Sequence, residues 1–330
     1  MVKLGLIGLG GMGKLHAEAL ASVRGCRVTA GADIAASARA AFGKRYPDVP
    51  LYADTRSMLK AADVDTAVIC TPTLTHKQIA IDVMRSGRPV LTEKPMARTV
   101  ADAARMLDAA EKTGQLLMVA QCRRFDKDWG RFAQILKQGK LGRPVLWRSV
   151  MAGLGPGGWF MDERAGGGPL IDGAVHNYDF ANLIFGEPES VVASAIKLTK
   201  RSAVDTASAV VSYKSGDQLL VSWSWGISGD RAHDVLGPKA TLLFGPGDMK
   251  PDGEEGYAYY RLWPHGKDMK LIRFRYQAMD MYVEEDRRFL ACIAGKAKCT
   301  CPGTEAIKGV AVAEAILKAG PKRTSRKVRW

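Results

Sequence analysis

Short apolar runs alternate with amphipathic stretches through the first 120 residues, in the rhythm of a doubly wound α/β sheet. The pattern predicts strands at Lys3–Leu9, Arg27–Ala32, Thr66–Ile69, Pro89–Thr92 and Leu116–Ala120. Helices are expected at Gly13–Ser22, Ala35–Lys44, His76–Ser86 and Val100–Thr113; glycines follow the last two, Gly87 and Gly114, in the position of a helix stop. This order implies a parallel sheet with right-handed crossovers.

After Gln121 the pattern changes. A helix over about Asp128–Gln138 and a strand over Val145–Met151 lead into two glycine-rich stretches, Gly153–Gly158 and Gly166–Pro169. Period-two alternation at Val191–Leu198, Ala207–Tyr213, Leu219–Trp225 and Thr241–Phe244 predicts an antiparallel meander with one covered face and one face free to meet a subunit or substrate. Helices near Met279–Ala294 and Thr304–Ala319, then a strand-like Lys327–Trp330, close the chain. The expected fold class is α/β, a parallel sheet over residues 1–121 followed by an α+β domain, 122–330, with an open, mostly antiparallel sheet.

Composition narrows the class. With 330 residues, 47% hydrophobic and 25% charged, the chain is long enough for two globular domains. No apolar stretch reaches the length of a membrane span. Met1–Gly8 is similar to a short secretory core, but it runs into a glycine motif without a cleavage site and reads as the first strand. Six cysteines (26, 70, 122, 292, 299, 301) lie scattered, with neither a disulfide framework nor a zinc pattern, and Cys299-x-Cys301 reads as a loop coincidence. A cytoplasmic location is expected. The net charge of +14 raises the question of nucleic acid. Part of the excess sits in Lys318, Lys322, Arg323, Arg326, Lys327 and Arg329, which have neither acidic partners nor interleaved aromatics; a solvated terminus is expected, without a nucleic-acid or membrane partner. A basic surface still attracts an anionic cofactor.

Gly8-Leu9-Gly10-Gly11-Met12-Gly13 follows the first predicted strand and opens the first helix, the context that gives a GxGxxG motif meaning. The first glycine permits the tight turn, the second lets the backbone approach a pyrophosphate, and the third lets helix and strand pack, as in a Rossmann dinucleotide-binding domain. Asp33 falls at the end of the second strand, twenty residues after Gly13. A carboxylate there accepts from ribose hydroxyls and repels a 2′-phosphate, so NAD is expected rather than NADP, a preference that Arg39 and Lys44 soften.

Two constellations carry candidate chemistry. Glu93-Lys94-Pro95 places an amine at the carboxyl end of a strand, where open α/β sheets bind ligands. In the helical run Leu170–Phe185, Asp172, His176 and Asp179 fall within an arc of about 60° at about 100° per residue. Three readings of that polar stripe stay open. A carboxylate one turn away prepares His176 as a general base; the pair holds a metal, for which no third ligand motif is evident; or Asp172 starts the helix and His176 is a core histidine.

Together these segments resemble the glucose-fructose oxidoreductase, inositol dehydrogenase and MocA family. The matching stretches are Gly8–Gly13 with His16, Cys70–His76, Gly87–Pro95, Ala109–Gly114, Arg124-Phe125 and Gly166–Asp179, in order along nearly the whole chain. The resemblance implies an NAD(P)-dependent oxidoreductase acting on CH–OH groups, with Lys94, Asp172 and His176 as its catalytic set; for want of a third ligand motif, no metal is expected. Cofactor contacts are expected from Gly8, Gly10, Gly11, Met12, Gly13, Asp33, Thr71, Pro72, His76, Glu93 and Lys94, with His76 open equally to a role as a helix cap or surface residue. Substrate contacts are expected from Lys94, Arg123, Trp159, Asp172, His176 and Asp179, with Tyr178 and His233 as further candidates. Trp223 and Trp225 are read as packing or interface, and His16 and His265 as structural. The second domain is expected to bind substrate and to build a homodimer or homotetramer.

The expected reaction oxidises a secondary hydroxyl of a sugar or a cyclic polyol such as an inositol. His176 takes the hydroxyl proton, Asp172 holds the ring, and the Lys94 ammonium steadies the developing alkoxide; the alternative division makes Lys94 the base. Two other readings stand beside it: a bound-NAD enzyme that cleaves glycosides through a transient ketone, and a dinucleotide-binding sensor without turnover.

Overall fold

A computed structural model describes residues 1–244 and 256–330. Its first elements are β1 (Val2–Ile7), α1 (Gly11–Ala21), β2 (Cys26–Ala32), α2 (Ala36–Arg45), β3 (Leu51–Tyr52), α3 (Thr55–Ala61), β4 (Thr66–Ile69), α4 (Thr73–Arg85), β5 (Val90–Glu93), α5 (Val100–Thr113) and β6 (Leu117–Ala120). There follow α6 (Lys127–Lys137), β7 (Leu146–Gly153), α7 (Val175–Phe185), β8 (Pro188–Ile196), β9 (Thr206–Tyr213), β10 (Gln218–Ser224), β11 (Ile227–Leu236) and β12 (Ala240–Phe244). Last come β13 (Tyr257–Pro264), β14 (Lys270–Arg275), α8 (Met279–Ile293), α9 (Gly303–Ala319) and β15 (Ser325–Lys327). The chain divides into two compact units, Met1–Phe125 with Met279–Ile307, and Asp126–Ala278 with Lys308–Trp330.

In the first unit six strands lie in the order β3-β2-β1-β4-β5-β6, every neighbouring pair parallel. This is the strand order of a Rossmann sheet. The strands are short and apolar on both faces, as a sheet covered by helices on both sides requires: all four residues of β4, β5 and β6 are buried. α8 returns to pack against α1, and Phe289 and Leu290 join Leu4, Leu6, Leu20 and Phe42 in one core. Burying a side chain of that size contributes about 1.5–3 kcal/mol, which draws the late helix into this unit.

Among the described residues the second unit holds a nine-stranded sheet ordered β14-β13-β12-β11-β7-β10-β9-β8-β15. Its pairs are antiparallel except β7 with β10, which run parallel. Trp129 and Phe132 of α6 pack with Trp147 of β7, Phe180 of α7 and Phe244 of β12 in an aromatic core on one face. Val150, Val192, Ile196 and Ile227 are exposed, as is the Arg148–Asp234 ion pair between β7 and β11. Among the described residues no helix is long and apolar enough to cross a membrane.

One expected element changes character. The run from Leu170 to Phe185 splits into a π turn, Pro169–Gly173, and α7, with the Ala174 N–H donating to Pro169 O at 2.7 Å. Crowding shapes the turn: a Cβ on Gly168 would lie 2.6 Å from Val204 O, and one on Gly173 would lie 2.8 Å from the Trp223 ring.

Candidate active site

The turn after β1 has the shape a dinucleotide needs. Gly8 sits at φ +90°, and a Cβ there would meet the Cys70–Thr71 peptide at 2.6 Å; a Cβ on Gly13 would lie 2.0 Å from Gly8 O. These two glycines close the turn against β4 and against itself. Gly10 and Gly11 are exposed, and a Cβ on either would meet nothing within 4 Å. Gly10 precedes α1 without a side-chain cap, and no acidic residue occupies the first turn, so the helix presents its N–H groups to an anion.

Asp33, just beyond β2, ties this turn to the sheet. Its Oδ2 accepts from the Leu9 N–H and its Oδ1 from the Ala35 N–H, both at 2.8 Å. Each carboxylate oxygen has a second lone pair, so the group retains acceptor capacity for a diol. The Arg39 guanidinium is turned to the main chain, donating to the carbonyl oxygens of Asp33 and Ile34.

Glu93 ends β5 opposite Ala120 of β6, and half-buried Lys94 follows it. The Lys94 N–H donates to Glu93 Oε2 at 3.0 Å. Glu93 Oε1 lies 3.1 Å from His16 Nε2, and His16 Nδ1 lies 2.9 Å from Asp286 Oδ1. Burial works against charge on His16, but the Asp286 carboxylate, with Cys70 and Glu93 beside it, outweighs that and holds the ring well above its ordinary pKa of 6.5. Burial pushes the Asp286 carboxyl up and the Cys70 thiol up to about 12. Buried His76 lies with Nδ1 2.9 Å from Pro95 O and Nε2 2.7 Å from Thr71 O. It therefore joins the turn after β4, which carries Thr71 and Pro72, to the turn that carries Lys94. Arg123 stands in a short 3₁₀ turn after β6, and both its charge and that of Lys94 bear on Cys122.

In the second unit Asp172 is 6% exposed in the π turn, and His176 is half-buried in the first turn of α7. Asp179, 1% exposed, lies one turn further along, beside Gly309 of α9. Half-buried Trp159 stacks on Phe160 with ring centroids 3.8 Å apart. That turn is bound to the stretch before Asp172, since the Gly166 N–H donates to Trp159 O at 3.0 Å and the Gly168 N–H to Phe160 O at 2.9 Å. Trp159 and Asp172 thus belong to one folded segment. Trp223 packs on Gly173 and Trp225 on Gly155. His233 lies in the aromatic core, stacked on Phe244 and edge-on to Trp129, and Tyr178 is wholly buried.

Two residues of this network are not among those expected at the site: His16 reads as structural in the sequence, and Asp286 is not singled out there. Gly13, His16, Ala17 and Leu20 share the buried face of α1, so His16 reads as core. In α8 the signal was a buried stripe, Glu285, Asp286, Phe289 and Leu290, in which two carboxylates occupy core positions.

Comparison with known proteins agrees with this architecture. The profile described as "Oxidoreductase family, NAD-binding Rossmann fold" matches residues 2–121, and that of the GFO/IDH/MocA C-terminal domain matches residues 129–243. An inositol 2-dehydrogenase of Rhizobium meliloti (strain 1021) is 28% identical over 331 residues, covering 96% of each chain. The myo-inositol 2-dehydrogenase of Thermotoga maritima is 29% identical over 222 residues, 65% of this chain and 66% of that one. The crystal structure of a putative myo-inositol dehydrogenase from Sinorhizobium meliloti 1021 superposes with a TM-score of 0.80 at 24% identity, covering 100% of both chains, and shares the fold. With the glycine turn, the strand order and both halves of the chain matched to one family, the protein is an NAD-binding oxidoreductase of the Gfo/Idh/MocA family.

Proposed function

We propose that the protein is an NAD-dependent dehydrogenase that oxidises a secondary hydroxyl of a sugar or cyclic polyol, in the manner of an inositol 2-dehydrogenase or a pyranose or glycoside dehydrogenase. The observation that carries this reading is Lys94, held by hydrogen-bonded groups at the carboxyl end of β5 in a sheet whose glycine turn leaves room for a dinucleotide. Relatives named inositol 2-dehydrogenase, one aligned over 96% of the chain, support the polyol class.

In this reading Gly8, Gly10, Gly11, Met12 and Gly13 with the start of α1 hold the pyrophosphate, and Asp33 accepts from the adenosine ribose hydroxyls. Thr71, Pro72, His76 and Glu93 shape the remaining wall. Bound NAD supplies the hydride acceptor, nicotinamide C4. His176 removes the hydroxyl proton, and Asp172 orients the ring and stabilises its charged form. The Lys94 ammonium donates to the same oxygen and stabilises the alkoxide as it develops. Arg123, Trp159 and Asp179 supply contacts for the other hydroxyls of an uncharged polyhydroxy compound. The exposed Val150, Val192, Ile196 and Ile227 support a homodimer or homotetramer, and we place the protein in the cytoplasm.

The test is a panel of inositols, pyranoses and glycosides assayed for reduced cofactor, with NAD and NADP in parallel. At least one member is expected to reduce NAD in preference to NADP. NAD is also expected to raise the melting temperature more than NADP does, since a ligand confined to the folded state stabilises it. If no member reduces either cofactor, the dehydrogenase reading fails in favour of bound-cofactor glycoside cleavage or a sensor.

A further inference from the structure

We propose that Asp286, His16 and Glu93 form a buried positioning relay that fixes the main chain at Lys94, so that an aspartate on α8 sets the rate of a reaction it does not touch. This rests on the reading of Lys94 as the partner of the reacting oxygen.

The geometry is continuous. Asp286 Oδ1 and His16 Nδ1 are 2.9 Å apart, His16 Nε2 and Glu93 Oε1 are 3.1 Å apart, and Glu93 Oε2 receives the Lys94 N–H at 3.0 Å. A carboxylate oxygen accepts, so the imidazole donates at both nitrogens and orients both carboxylates. The three groups are 1%, 0% and 6% exposed respectively, which leaves Asp286 and His16 no route of their own to a ligand. Tyr282 stands edge-on to His16 at 6.3 Å, and Cys70 and Glu285 add charge-sensitive groups to its surroundings.

Stability alone is a poor explanation for this cluster. Burying ionised groups costs desolvation that their mutual attraction at best roughly offsets, and well-packed apolar side chains of similar volume often serve as well. What the relay does is determine where a peptide N–H points. Lysine carries its ammonium on a long flexible stem, so the reach of Lys94 depends on the placement of its main chain. On the other side of Lys94, His76 Nδ1 meets Pro95 O at 2.9 Å, which pins the following residue. An ångström of misplacement at a reacting centre costs about a hundredfold in rate.

The experiment is a double-mutant cycle on the full chain with myo-inositol and NAD as probes, combined with hydrogen exchange of the Lys94 amide in 15N-lysine-labelled protein. Asp286→Asn is expected to lower kcat about 10- to 100-fold while NAD affinity, measured by titration without polyol, changes less than about twofold. In a Lys94→Met background the same substitution is expected to change the single-turnover rate less than about twofold, because its effect passes through the lysine. The Lys94 amide is expected to exchange about tenfold faster in Asp286→Asn, with the Lys3 amide of β1 unchanged. Full additivity of the two substitutions, or unaltered Lys94 exchange, overturns the relay. If Asp286→Asn does not fold, His16→Gln replaces it in the same cycle with the same criteria. Where myo-inositol is not turned over, the exchange result decides. A Lys94→Met protein with undiminished kcat instead overturns the catalytic reading and takes the relay with it.

Discussion

Behind Lys94, in the first unit, the chain buries an imidazole between two carboxylates; behind Asp172, in the second, it sets an indole ring against a glycine. Lys94 follows a four-residue strand and takes its orientation from hydrogen bonds to Glu93 and, through Pro95, to His76. The turn that carries Asp172 is shaped by packing: Gly168 and Gly173 have no room for a Cβ, and the π turn leads directly into α7 and His176. The two supports therefore differ in what disturbs them. A charged network fails when a partner is removed or a proton is gained or lost. A packed turn fails when volume is added.

Removing the reacting groups sets the scale against which both supports are judged. Lys94→Met and His176→Ala are each expected to lower kcat by about 10²- to 10⁴-fold, read as the initial rate of NADH formation on an active member of the panel. Both proteins should still show an NAD-dependent rise in melting temperature, since neither substitution alters the glycine turn.

Added volume should separate the units next. In Gly173→Ala the new methyl arrives 2.8 Å from Trp223 Cζ2, and about 1–3 kcal/mol of second-unit stability is expected to be lost in urea unfolding followed by tryptophan fluorescence. A Cβ on Gly13 meets Gly8 O at 2.0 Å, so Gly13→Ala is expected to cost a similar amount in the first unit and to abolish the thermal response to NAD.

The smallest effect is the pH dependence, and its sign distinguishes the two supports. His16 has its pKa raised above 6.5 in the folded chain, so the stability it contributes is complete below about pH 6.5 and is lost as pH climbs through the folded value. The raised Asp286 carboxyl has the same sign, its share being lost as pH climbs from 3.8 through its own folded value, beyond which it is the carboxylate that pairs with His16. Urea midpoints of the wild type should therefore fall from pH 6.5 towards pH 9, and His16→Gln should flatten that slope. Gly173→Ala should lower the midpoint while leaving the slope unchanged.

The sequence made the first unit's local elements legible because each of its longer helices and strands is bounded by a recognisable stop or turn; α5, for example, ends at Gly114 in the left-handed conformation. β3 and α3, two and seven residues long, are too short to show a period. In the second unit β11 escaped notice because Gly229, Arg231 and Asp234 interrupt its alternation, and Asp234 pairs instead with Arg148 across the sheet. The β13–β14 hairpin interleaves tyrosines with arginines, as where the Arg273 guanidinium lies over the Tyr257 ring, and reads as polar. The parallel pairing of β7 with β10 and the return of α8 to the first unit depend on contacts between segments far apart in the chain, which no local pattern encodes. For the same reason Glu93 and Lys94 stood out as a motif, whereas His16 and Asp286, 270 residues apart, declared themselves only as neighbours.

The most direct test of the account follows the hydrogen. A panel polyol that reduces NAD is prepared with deuterium at the carbinol carbon, and deuterium in the NADH is counted by mass spectrometry for the wild type, Lys94→Met and His176→Ala. The account predicts one deuterium per NADH with the wild type, and the same label at rates lower by about 10²- to 10⁴-fold in both variants. NADH without deuterium, or undiminished label transfer in either variant, would contradict it.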